Sequence, residues 1–170
     1  PAFSPSVRQA LLPLGCGGTL VVATRDEVRA PLTRFALIQR LDVTVVDIVP
    51  TYWRTCIQIL SRLDEAARQS ILANKLRLIL SAGEALALRS LAPWFARYGN
   101  AAQLVNMYGI TETTVHVTYR VIESHECIEP KGSPIGIPMP DLELYLLDEN
   151  LHPADEGELY VGGRGLAYGY

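Results

Sequence analysis

Short runs of β-branched and aliphatic residues alternate with helix-length segments through the first two thirds of this chain. "TLVVA" (19–23), "DVTVVDIVP" (42–50), "LRLILSAGE" (76–84) and "AQLVNMYG" (102–109) read as strands. The segments around them have helical spacing. "SVRQALLPL" (6–14) sets Val7, Ala10, Leu11 and Leu14 on one face, with Ser6 as its cap. Pro31 opens a helix whose inner face is Leu32, Phe35, Ala36, Ile38 and Leu41. "TYWRTCIQILSRL" (51–63) aligns Trp53, Ile57 and Leu60 behind a Thr51 cap, and "LDEAARQSILANK" continues as a charged helical connector. Pro93 predicts that the helix in "SLAPWFARYG" starts near Ser90, because proline fits only the first turn.

Strands separated by helices imply βαβ units. The expected fold is therefore α/β, a mostly parallel sheet with flanking helices. "VHVTYRVI" (115–122) alternates and adds a fifth strand. Beyond residue 123 the character changes. "IEPKGSPIGIPMPDLE" is rich in Pro and Gly, and "LELYLLD" and "GELYVGG" are short alternating strands. The expected organisation is an α/β subdomain over 1–123 and the beginning of a β-rich subdomain over 124–170.

Bulk properties narrow the function. A net charge of -3 and a pI near 5.6 give no basic footprint for nucleic acid. No apolar run approaches the roughly 20 residues of a membrane span. Cys16, Cys56 and Cys127 are scattered, which predicts reduced thiols in a cytoplasmic protein. His116, His125 and His152 lack paired metal spacing. The chain opens on Pro1 and stops inside the Gly-rich "GLAYGY", so an excerpt of a longer polypeptide is expected.

Chemistry concentrates at three strand ends: "VVDIVPT", "LSAGEAL" and "NMYGITETT". In an open parallel sheet ligands bind beyond the carboxyl ends of the strands. Gly83 has no side chain, so a flat ring could lie on the backbone of Gly83, Glu84 and Ala85, with Tyr108 over its other face. The Asn106 amide oxygen can accept from an exocyclic amine such as that of adenine. Gly109 allows close backbone approach. Thr111 can donate to a phosphate oxygen. Glu112 is a hard oxygen donor of the kind Mg²⁺ takes alongside substrate phosphates. "TETT" suits a capping turn equally well, with Thr111 or Thr113 satisfying orphan amides.

"NMYGITETT" followed by "GELYVGGRGLAYGY" resembles the YGxTE and GEL-x-[IV]-GG-x-G-[LV]-A-x-GY motifs of nonribosomal peptide synthetase adenylation domains, within the adenylate-forming (AMP-binding) superfamily. "VTVVDIVPTYW" and "LRLILSAGEAL" stand where that family has its counterparts. The resemblance covers the whole chain but only a middle slice of the family's N-terminal core. It implies an enzyme that activates an amino acid or related carboxylic acid with ATP and Mg²⁺ as acyl-AMP. The acyl group then passes to phosphopantetheine on a peptidyl carrier domain, next to a condensation domain. By resemblance, Tyr108 stacks on adenine and Asn106 reads it, opposite a wall of Gly83, Glu84 and Ala85. Thr111 contacts the α-phosphate, Glu112 holds Mg²⁺, and the Gly109 backbone lies near the substrate carboxyl. The family's phosphate loop, ribose-binding Asp and catalytic Lys find no match, so the stretch alone is expected to be inactive.

The resemblance also implies a pocket for the acid, lined by Ser4, Pro5, Arg8, Asp47, Leu80, Ala82, Met107, Val115 and His116. Ser4 stands where most members have an Asp for the substrate ammonium. Asp47 occupies a position that is often neutral, and a buried carboxylate needs a partner. It could receive a displaced substrate amine, pair with Arg8 beside a substrate lacking one, or simply point to water or cap the helix beginning at Thr51. His116 could line the pocket floor or be an ordinary hydrogen-bonded strand histidine. Two other functions fit parts of the pattern. One is an acyl- or aryl-CoA ligase of the same superfamily. The other is a non-catalytic nucleotide-binding or interaction module.

Overall fold

The computed structural model describes residues 5–98 and 102–169. Helix α1 spans Pro5–Gly15, α2 Arg25–Arg29, α3 Pro31–Arg40, α4 Pro50–Arg62 and α5 Glu65–Leu72. Strands β1 (Val45–Ile48), β2 (Leu78–Ala82), β3 (Gln103–Tyr108), β4 (Thr118–Val121) and β5 (Ile137–Pro138) form one sheet in that order. β1, β2 and β3 are parallel, β4 is antiparallel to β3, and β5 is antiparallel to β4. β6 (Leu142–Leu147) and β7 (Glu158–Gly163) form a separate antiparallel pair. The α/β reading holds, and the larger sheet continues past residue 123 through β5.

Side chains alternate across a strand, so the register sorts residues by face. Val46, Ile48, Ile79, Ser81, Leu104 and Asn106 share one face, and Asp47, Leu80, Ala82, Val105 and Met107 share the other. The first face builds the core. Ile48, Ile79 and Leu104 pack with Phe35 and Ile38 of α3, Trp53, Ile57 and Leu60 of α4, and Leu91, Trp94 and Tyr98. Trp53 and Trp94 meet edge to face at 4.6 Å between ring centroids, a favoured aromatic geometry. The predicted stripe Trp53, Ile57 and Leu60 is buried.

Several expected elements differ. "TLVVA" forms no strand, and Val22 is 82% exposed. β1 pairs with β2 and no further strand lies beyond it among the described residues, so residues 19–23 have no ladder to join. Pro5, not Ser6, opens α1. Val49 is the N-cap of α4 and Pro50 its first residue, so Thr51 lies inside that helix. Pro93 sits within a helical run. The chain winds as a 3-10 turn over Leu88–Leu91 and widens to a π-helix over Trp94–Tyr98. A proline without an N–H is accommodated where the hydrogen-bond ladder changes pitch. β4 begins only at Thr118, because Thr114 and Val115 have φ of 57° and 83° and cannot extend a strand.

Candidate functional site

Parallel pairing puts the carboxyl ends of β1, β2 and β3 on one side of the sheet, as the strand-tip pattern requires. Register fixes this, since Ile48 lies beside Ser81 and Ala82 beside Met107. Beyond Ala82 the chain turns at Gly83, whose φ of +91° favours glycine, and an added Cβ there would meet open space. Glu84 is exposed, and its carboxylate reaches across to α4. It accepts from the Thr51 N–H at 3.2 Å and the Thr51 hydroxyl at 3.1 Å. Glu84 therefore supplies the cap that the sequence assigns to Thr51, placing negative charge at the first turn of α4.

Asn106, near the end of β3, is buried. Its Nδ2 donates to the Pro134 carbonyl at 2.8 Å, while its Oδ1 has no hydrogen-bond partner among the described residues. Next to Pro134, the Ser133 hydroxyl accepts from the Leu86 N–H at 2.9 Å. The 133–134 segment thus bridges the β2 tip and Asn106. Tyr108 ends β3 with its side chain exposed.

The TETT segment is both a capping turn and an exposed platform. A 3-10 turn spans Thr111–Thr113. The buried Thr113 hydroxyl donates to the Ile110 carbonyl at 3.0 Å, satisfying the turn locally. Thr111 and Glu112 face outward. Gly109 gives the close backbone approach expected of it, but toward the chain itself. A Cβ there would lie 2.0 Å from the Val115 carbonyl oxygen.

The second motif folds onto this turn. The Thr114 hydroxyl donates to the Gly165 carbonyl at 2.6 Å, and the Ala167 N–H donates to the Glu112 carbonyl at 2.7 Å. Sequence reading singles out both motifs but not Thr114, and nothing in their spacing signals that they touch.

Of the residues assigned to the acid pocket, Asp47, Leu80, Ala82 and Met107 share the sheet face opposite the core. Ser4 lies outside the described residues. Pro5 and Arg8 belong to α1, and Val115 and His116 to the β3–β4 loop. Arg8 Nη2 is paired with Asp47 Oδ2. Arg8 is therefore the cation that meets Asp47, and the cap at Thr51 belongs to Glu84. Arg8 Nε and both ring nitrogens of His116 are buried without hydrogen-bond partners among the described residues. Burial, reinforced by the Arg8 charge and opposed by Asp47, brings the His116 pKa down to about 4, so the ring is neutral at pH 7. It is not the hydrogen-bonded strand histidine that the sequence allows.

The cysteines are free thiols, and burial pushes Cys56 up to about 12 and Cys127 to about 11, which leaves both unreactive near neutrality. No group of three or more His, Cys, Asp or Glu among the described residues could by itself hold a metal. Glu112 fits instead the hard-cation pattern in which one carboxylate is joined by ligand phosphates. No helix among the described residues is long and apolar enough to cross a membrane.

The sequence profile of the AMP-binding enzyme family matches residues 1–170. Malpinin synthetase of Mortierella alpina is 41% identical over 91% of the chain, and a dimodular nonribosomal peptide synthase of Bacillus subtilis (strain 168) is 39% identical over 99%. The chain spans only 2% and 7% of those proteins. Among solved structures, PA1221, an NRPS protein containing adenylation and PCP domains, superposes with a TM-score of 0.81 at 25% identity, covering 99% of this chain and 32% of that one. FmoA3 (S1046A), in its α-methyl-L-serine-AMP bound form, gives the same TM-score at 26% identity, over 99% of this chain and 19% of that one. With its profile matched from end to end and its sheet shared with adenylation proteins, this chain belongs to the AMP-binding enzyme family.

Proposed function

We propose that this chain forms one wall of the nucleotide and acid site of a nonribosomal peptide synthetase adenylation domain, which joins an amino or related carboxylic acid to AMP. Asn106 gives this reading its strongest support. A buried amide oxygen without a partner among the described residues, in an amide whose nitrogen is already fixed by Pro134, suits the exocyclic amine of adenine. Gly83, Glu84 and Ala85 would offer backbone to one ring face and Tyr108 would cover the other. Thr111 would donate to the α-phosphate and Glu112 would hold Mg²⁺. The metal, when bound, supplies charge neutralisation on the phosphates. The Gly109 backbone would border the carboxyl of the acid.

The acyl group would go to phosphopantetheine on a peptidyl carrier domain, beside a condensation domain, in the cytoplasm. The division at residue 123 is read as the start of the passage from the α/β part to the β-rich part, with β5 still joined to the larger sheet. The 170-residue stretch is read as inactive by itself, because it spans so small a share of its relatives.

On the acid side, the Arg8–Asp47 pair favours one of the three roles open to Asp47. With its charge already met by Arg8, Asp47 has little to offer a substrate amine, and a second cation would be repelled by the guanidinium. The reading is therefore an acid without a cationic group at that position. His116, Arg8 Nε, Leu80, Ala82 and Met107 would line the cavity, together with Pro5 and Val115.

The test uses the full polypeptide carrying this chain. Acyl-AMP formed from acids with neutral, cationic and apolar side chains is trapped with hydroxylamine, which takes the acyl group as the hydroxamate and releases AMP. Hydroxamate from a neutral acid is expected. Preference for a cationic acid would overturn the acid-side reading alone. Transfer of the acyl group from acyl-AMP to the thiol of free coenzyme A, with release of AMP, would favour the CoA-ligase alternative.

A further inference from the structure

Glu112 sits on a three-residue turn at the surface, followed by two residues with left-handed φ. Thr and Val are both β-branched, and neither adopts φ of 57° or 83° without an external hold. Such backbone persists only where its surroundings over-determine it. Here the hold comes from the 163–168 segment after β7. Gly165 lies so close over the turn that a Cβ on it would meet Leu142 Cδ2 at 2.7 Å and the Thr113 carbonyl oxygen at 3.4 Å. Two hydrogen bonds fasten the segment, one at the Glu112 carbonyl and one two residues further on at Thr114. One is Ala167 N–H to the Glu112 carbonyl at 2.7 Å, and the other is the Thr114 hydroxyl to the Gly165 carbonyl at 2.6 Å, between residues 51 apart in sequence.

We infer that Thr114 is a positioning residue that straps the 163–168 segment across the Glu112 turn, fixing the backbone from which Glu112 meets a Mg²⁺-bound nucleotide. The inference rests on the proposed role of Glu112. It assigns Thr114 no contact with nucleotide or metal. The main core lies elsewhere, around Trp53, Trp94 and Leu104, so releasing the strap should loosen the turn and leave the fold intact.

The test is calorimetric titration of the full polypeptide with ATP, once in excess Mg²⁺ and once in chelator. Thr114→Val keeps the β-branch and removes the hydroxyl, Thr114→Ser keeps the hydroxyl, and Ala167→Pro removes the N–H from the other fastening. The expected result is that T114V and A167P each weaken Mg²⁺-dependent ATP binding about tenfold, the scale of one net hydrogen bond. Metal-free ATP binding and the thermal midpoint stay unchanged, and T114S behaves as wild type. Wild-type Mg²⁺-dependent binding in A167P and in T114V would overturn the inference, as would equal losses with and without Mg²⁺. If T114V does not fold, A167P decides between the same two outcomes. Absence of ATP binding by the unmodified protein would instead refute the nucleotide-site reading, a result distinguishable from failure of the strap.

Discussion

Gly109 and His116 show how single positions can be constrained by the chain itself. Gly109 looks in sequence like room for a ligand, and the structure fills that room with the Val115 carbonyl. Gly109→Ala should therefore destabilise the fold by about 2–3 kcal/mol, since a backbone oxygen cannot yield as a flexible side chain would. Chemical denaturation would measure the loss. His116 has a folded pKa near 4, below its ordinary value of 6.5, so on acidification the unfolded chain takes the proton first. Its contribution to stability is complete above pH 6.5 and is lost as pH falls toward 4. Denaturation midpoints across that window should drop less steeply in His116→Gln than in wild type. Residue identities at the strand tips were legible because their chemistry is unusual. The Arg8 partner of Asp47 was legible only as one of three options, because which cation meets a carboxylate depends on where α1 lies.

Among the elements, apolar periodicity located β1, β2, β3 and helices α1, α3, α4 and α5. It failed at "TLVVA", whose β-branched run is strand-like but has no ladder beside it. It also overran at "VHV", where left-handed backbone delays β4. Both misses share a cause: strand formation needs a partner and an extended backbone, and local composition reports neither. The cap of α4 illustrates the same limit, because it comes from Glu84, 33 residues away, instead of Thr51. Glu84→Ala should lower stability by about 1 kcal/mol, the usual loss for an N-terminal cap. It should leave α5 intact, which is capped by its own Asp64. Hydrogen exchange at the first turn of α4 would locate the effect.

Across the whole molecule, the parallel sheet divides labour between its faces. One face is committed to the core, and the other carries Leu80, Ala82, Met107 and Asp47, the last paired with Arg8. The strand tips bring Gly83, Asn106, Tyr108 and the Glu112 turn to a common edge, with the last motif folded over that turn. The measurement that bears most directly on this account is acid-dependent ATP–pyrophosphate exchange by the full polypeptide, comparing wild type with Glu112→Gln. Exchange should require both acid and Mg²⁺ and fall about a hundredfold or more in the variant, as when a preorganised charge contact is removed. Exchange at the wild-type rate in Glu112→Gln would contradict the proposed role of Glu112.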